Sequence, residues 1–211
     1  MTKEQIFKRL KDNKSLFIAE KKAALKFADE VNGYLGIIKD DKLVTVKSIN
    51  EQDSIELDSI NCKIVINTTN LLDSHGDVHI PGLWKKSLQE QKLIYHLQEH
   101  QMKFDKVISD EVKASAIKMN WSEIGEPFDG QTEALVFDSV VKEDRNEFMF
   151  EQYLKGYVKN HSVGMRYVNL FLCINSEEKY YREEKDNWDN YFPMVANSSD
   201  AEDMGYFWAV T

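Results

Sequence analysis

The sequence predicts an α+β protein of one domain with a helical N-terminal segment, and three features carry that expectation. Apolar residues near the N-terminus recur at helical spacing. From about residue 60 onward, runs rich in β-branched and aromatic residues alternate with short charged helical stretches. Glycine (9) and proline (3) are sparse, which leaves few places for long structureless loops. The 211 residues suffice for one good core and an appendage.

In chain order, Thr2–Asp12 and Ser15–Val31 are the predicted N-terminal helices. The second carries Leu16, Phe17, Ala24, Phe27, Ala28 and Val31 on one face, with Lys21, Lys22, Asp29 and Glu30 off it. Asn32–Gly33 supplies its stop, since glycine tolerates the left-handed conformation at a helix end. Two short strands, Tyr34–Ile38 and Lys42–Ser48, precede an acidic connection, Asn50–Ser59. Further strands are predicted over Lys63–Thr69, Leu93–His96, Lys106–Trp121, Glu133–Val141 and Val163–Ile174. Helices are predicted over Lys85–Gln91 and Asn146–Lys159, the latter with Phe148, Phe150, Tyr153, Leu154, Tyr157 and Val158 as its apolar side. Ile124–Gln131 and Asn175–Ser199 are left as loops. The second, charged and aromatic by turns (Glu177, Tyr180, Tyr181, Glu184, Trp188), reads as a solvated insertion with the makings of a mobile flap near the site.

Composition narrows the function classes. Hydrophobic content of 42% and charged content of 30% are ordinary for a globular protein. A net charge of −9 argues against a general nucleic-acid-binding surface. No apolar run approaches the roughly 18 residues that span a bilayer, and the N-terminus lacks the apolar region of a signal peptide. The protein is expected to stay in the cytoplasm in which it is made. Cys62 and Cys173 lie in strand-like stretches and read as buried thiols in a reducing compartment. No CxxC, HExxH, Walker or dinucleotide glycine motif is present.

The chemistry is most legible in Asn160 to Tyr167. There Ser162 stands two residues before Gly164 at the head of an apolar run. Serine needs a base to take its proton, and a glycine lets a substrate carbonyl approach backbone N–H groups closely enough to hold an oxyanion. His100, ahead of the strand-like run from Lys106, is the candidate base. His96 and His161 are its rivals, and on a strand His96 and His100 would share a face. The plainer reading of Ser162 is a strand-end residue, and of His100 a half-exposed hydrogen-bonded ring. Asp73, His75, Asp77 and His79 alternate and on a strand would gather around a divalent cation. Gly76 and the following Pro81–Gly82 favour instead a polar turn whose carboxylates cap backbone N–H groups.

In order, these segments resemble the prohead proteases of tailed DNA phages, which are distantly similar to herpesvirus assemblin. Asp73, Gly76, Asp77, Pro81 and Gly82 match the family pattern, followed by the Lys85–Gln91 helix, His100, the Asn146–Lys159 helix and the Ser162–Gly164 stretch. The resemblance spans about Cys62 to Val168 and resumes at Gly205–Thr211. It implies a mostly antiparallel, barrel-like protease core with flanking helices over residues 33–211, preceded by an N-terminal helical extension over residues 1–32. It implies a serine endopeptidase with Ser162 as nucleophile, His100 as base, Val163 and Gly164 close to the oxyanion, and no metal or organic cofactor. Its substrates would be phage scaffold and major capsid protein, and the protease itself, inside the immature head in the host cytoplasm. A homodimer is compatible with it; nucleic acid and membrane are not implied as partners. The chain departs from the family by ending within the apolar Gly205–Thr211 run, without the Glu-containing segment that follows in relatives. The third catalytic residue is therefore open, the chain is expected to lack its last strand or strands and to be weakly active, and Phe207 and Trp208 are expected to lack neighbours unless an adjacent strand covers them. Gln101, where many relatives carry Asp, keeps open a non-catalytic head-assembly or scaffolding module. A metal-dependent hydrolase built on the Asp73–His79 alternation is a further alternative.

Overall fold

The computed structural model describes residues 1–30, 34–39, 42–44, 58–90 and 92–211. Thr2 opens α1 (Lys3–Asp12) with a capping box. Its hydroxyl accepts from the Gln5 backbone N–H at 3.3 Å, while the Gln5 side chain accepts from the Thr2 N–H at 3.0 Å. In α2 (Lys14–Ala23) the structure departs from the expected helix over Ser15–Val31. Ala24 is already extended (φ −79°, ψ 144°), and Lys26–Phe27 form a short strand, β1. From Ala23 onward the backbone finds partners across the molecule instead of along a helix. Arg166 donates to the Ala23 carbonyl at 3.0 Å, and the Ala28 N–H donates to the Val163 carbonyl at 3.1 Å. The expected stop at Asn32–Gly33 lies outside the described residues.

The remaining elements are β2 (Tyr34–Lys39), β3 (Lys42–Val44), β4 (Ser59–Thr68), β5 (Asp77–His79), α3 (Lys85–Gln89), β6 (His96–Leu97), β7 (Val107–Ser109), β8 (Val112–Asn120), β9 (Gln131–Lys142), α4 (Glu147–Leu154), β10 (Gly164–Met165), β11 (Leu170–Ile174), α5 (Arg182–Tyr191), α6 (Ser198–Met204) and β12 (Tyr206–Val210). Two expected strands each prove to be two. The Lys106–Trp121 run breaks at Asp110–Glu111 into β7 and β8, where the Ser109 hydroxyl accepts from the Glu111 N–H at 3.1 Å. The Val163–Ile174 run breaks into β10 and β11. Of the expected Leu93–His96 strand only His96 lies in one, β6, while the acidic connection before Asp58 lies outside the described residues. Among the described residues the strands form four separate sheets and no closed barrel, so the fold is mixed α+β.

The largest sheet runs β3-β2-β4-β9-β8, antiparallel throughout. Its period of two shows in β4. Ile60 and Cys62 pack with Met149, Phe150 and Tyr153 of α4, and Ile64 and Ile66 with Trp84, Leu135 and Phe137, while Val65 meets Trp121 and Val136 on the opposite face. The expected Asn146–Lys159 helix ends at Leu154; on it Phe150 and Tyr153 are buried as expected, Met149 is buried as well and Phe148 is exposed, while Tyr157 lies beyond the helix and is exposed.

The second sheet runs β11-β12-β5, with β12 antiparallel to β11 and parallel to β5. On one face Leu170, Leu172, Trp208 and Val210 meet Phe7 and Leu10 of α1. On the other, Val78, Cys173, Phe207 and Ala209 meet Trp188 and Ala201. Phe207 and Trp208 are therefore buried between neighbouring strands instead of lacking neighbours. The expected flap over Asn175–Ser199 is not one: it holds α5 and the start of α6, with Tyr181, Glu184 and Trp188 buried. Glu184 is acceptable there because Lys11 and Lys14 reach it at 2.6 and 2.8 Å. Both cysteines are buried, and burial pushes the Cys173 thiol up to about 12.

Candidate active site

Ser162 lies in the turn between α4 and β10, and His100 in the turn between β6 and β7. α4 is capped by Asn146, whose side chain accepts from the Met149 N–H at 3.1 Å, and is anchored by fully buried Tyr153. Beyond β6 the chain does not continue as a strand, so His96 and His100 do not share a face. Glu99 and His100 both adopt left-handed backbone (φ 52° and 54°), a conformation uncommon outside glycine and a recurrent mark of functional turns. This double twist presents the His100 ring to Ser162, with Nε2 at 3.1 Å from Oγ. The pair sits in a cleft of about 660 Å³ lined by Leu93, Met102, Ile66, Phe137 and Val158, among others. Burial holds the His100 imidazole below its ordinary pKa, with the Glu30 carboxylate pulling weakly the other way. A ring that is neutral at pH 7 is the state in which a general base accepts a proton.

The rival histidines are placed elsewhere. The Tyr153 hydroxyl lies 2.8 Å from Nε2 of both His96 and His161, and His96 Nδ1 lies 3.0 Å from the Ser139 hydroxyl. One direction of donation satisfies this run: Ser139 to His96, His96 Nε2–H to the phenol oxygen, and the phenol proton to His161, tautomers assigned from the network. Burial drives His96 down to about 3 and His161 to about 4, so both rings stay neutral. They form a rack behind Ser162, since His161 immediately precedes it in the chain.

Sequence reasoning missed the N-terminal contribution to the site. β1 pairs antiparallel with β10, Phe27 opposite Gly164. The Phe27 ring lies over His100 with centroids 4.4 Å apart, and the Ser162 hydroxyl donates to the Ala28 carbonyl at 2.8 Å. Gly164 makes this approach possible, because a Cβ there would stand 3.2 Å from the Phe27 ring and 3.8 Å from His100 Nδ1. The Asn160 amide donates to Glu30 at 3.0 Å, holding that carboxylate at the cleft. The signal that could have found these residues, apolar positions at 24, 27 and 28, is shared by a helix stripe and by a short strand over a cleft.

The Asp73–His79 alternation is a turn leading into β5. Asp73 Oδ1 accepts from the His75 and Asp77 backbone N–H groups at 2.9 and 2.8 Å. Asp77 pairs with Lys21, and His79 lies between Asn67 (3.0 Å) and Tyr167 (3.2 Å). Burial raises Asp73 to about 6 and lowers His79 to about 4. Among the described residues no group of three or more His, Cys, Asp or Glu side chains is arranged to hold a metal ion, and no helix is long and apolar enough to cross a membrane. Compared with models of known protein families, with curated proteins and with solved structures, the chain matches none.

Proposed function

We propose that this chain is a serine endopeptidase of the prohead-maturation type, with an assemblin-like core and with phage scaffold and capsid proteins as substrates. The observation that carries the reaction class is the 3.1 Å approach of His100 Nε2 to Ser162 Oγ at the edge of an open cleft. The substrate class rests on the resemblance alone. In the reaction Ser162 Oγ attacks the scissile carbonyl while His100 Nε2 takes its proton. The oxyanion is held by N–H groups near Val163 and Gly164, and His100 returns the proton to the leaving amine. Water, deprotonated by the same imidazole, then releases the acyl group from Ser162. Glu30 is the acidic group whose charge favours the imidazolium that forms on the way.

The test is co-expression with capsid and scaffold proteins. Ser162→Ala should abolish their cleavage while changing stability by no more than about 1 kcal/mol, since one part-buried hydroxyl is lost. Cleavage at the unaltered rate by the Ala variant refutes the assignment. One observation favours the non-catalytic reading, a protease fold kept as an assembly module: the nucleophile's proton is already engaged by Ala28.

A further inference from the structure

Ser162 has one proton and two acceptors within reach, His100 Nε2 at 3.1 Å and the Ala28 carbonyl at 2.8 Å. While Ala28 takes that proton, His100 faces the oxygen only as a donor, which is the wrong tautomer for a base. The group that withholds the proton is itself a peptide carbonyl. It directly follows β1, which pairs antiparallel with Gly164–Met165 just beyond Ser162, and the Ala28 N–H extends the pairing to Val163. Extended peptides bind proteins by adding a strand in this manner, with backbone bonds giving affinity and alternate side chains giving selectivity.

The segment from Leu25 to Glu30 is held chiefly by its backbone and its polar ends. Ser74 fixes Asp29 through its N–H and its hydroxyl, both at 2.7 Å, and Asn160 fixes Glu30. Its large apolar side chains stay in the open cleft, with Phe27 44% and Leu25 49% exposed, while only Ala28 is buried. A strand that belonged to the core would bury those side chains. This one lies on the surface of a cleft whose rim, at Leu93 and Met102, is also apolar and exposed.

We infer that Lys26–Ala28 occupies the substrate strand's place, so that the chain blocks its own nucleophile, and that the substrate is an extended peptide pairing with Gly164–Met165 and placing a large apolar side chain where Phe27 lies. This rests on the endopeptidase reading for its chemistry, but the strand-binding groove stands or falls by itself. The block would lift when the segment leaves the cleft, exposing the pairing edge of β10 and the face of His100 together.

The experiment uses the full chain in three forms: unaltered, Phe27→Asp, which removes the ring from His100 and places a charge in an apolar cleft, and Ala28→Pro, which removes the N–H bonded to Val163 without touching the ring. A fluorescent heptapeptide of sequence Ala24–Glu30 is titrated into each, and Ser162 modification by an alkyl fluorophosphonate is followed by intact mass. Both variants should bind the peptide roughly ten-fold more tightly than the unaltered chain, a Phe27→Asp version of the peptide should bind none of them, and the variants should be labelled roughly ten-fold faster, as expected if the segment is docked about nine-tenths of the time. Absence of peptide binding to both folded variants, checked by circular dichroism, overturns the inference, as do equal labelling rates in all three forms. Peptide binding without labelling in any form supports the groove and refutes the nucleophile. Equal labelling without peptide binding does the reverse.

Discussion

Tyr153→Phe tests whether the rack behind Ser162 holds the site together. The residue is 1% exposed, and its hydroxyl is 2.8 Å from both His96 Nε2 and His161 Nε2. Phenylalanine fills the same volume, so the loss is confined to polar terms. A neutral hydrogen bond contributes about 1 kcal/mol net, and a buried nitrogen deprived of its partner costs about 1–3 kcal/mol. With two nitrogens affected, the expected destabilisation is about 3 kcal/mol. In a protein of this size each kcal/mol moves the unfolding midpoint by about 2–4 °C, so Tm should fall by about 6–12 °C. Differential scanning calorimetry at pH 7 provides the measurement, with Tyr157→Phe as control, because that ring is 69% exposed and its change should stay within about 0.5 kcal/mol. A fall of less than about 2 °C for Tyr153→Phe would show that the hydroxyl does not anchor the two rings.

Three further outcomes are expected. His100→Ala should be as damaging to cleavage as Ser162→Ala, and the double variant no worse than either, because residues acting as one unit are non-additive; additive losses would separate the two residues. Since burial lowers His100 and the Glu30 charge raises it, the acid limb of kcat/KM should lie below pH 6.5 and move lower still in Glu30→Gln, with an unmoved limb excluding Glu30. Stability should fall with acid. His79, His96 and His161, lowered by burial to about 4, 3 and 4, contribute stability present above their unfolded value near 6.5 and lost as pH drops toward their folded values, each at up to about 1.4 kcal/mol per pH unit. Asp73, raised to about 6, works oppositely, its contribution being full below the ordinary carboxylate range and lost as pH rises through 6, so it offsets one histidine of the three. Urea midpoints between pH 7 and 4 check this, and a flat or rising midpoint on acidification contradicts it.

That Ser162 and His100 should lie together was legible, because serine chemistry demands a base nearby, and the structure places them 3.1 Å apart. The Asp73 turn was legible from Gly76 and Pro81. The helix limits at Ala23 were not, since the apolar positions of residues 24–28 suit a helix stripe as well as a strand, and only long-range partners such as Val163 and Arg166 decide between them. The same holds for Asn175–Ser199: its charges suggest solvent, yet Glu184 is buried because Lys11 and Lys14, far away in sequence, neutralise it. His96 and His161 look identical to His100 in composition. What separates them is burial against Tyr153, a property of packing that no local pattern encodes.

The parallel pairing of Asp77–His79 with Trp208–Val210 also governs the order of assembly. On a ribosome β5 emerges long before β12 is made, and such distant pairings close slowly. Lys21, bound to Asp77, ties α2 to that late sheet, whereas the antiparallel β4-β9-β8 core and α4 derive from segments synthesised earlier. A nascent chain should therefore pass through a stage in which the β4-β9-β8 sheet and α4 are formed while β5, and α2 tied to it through Lys21, still wait for β12.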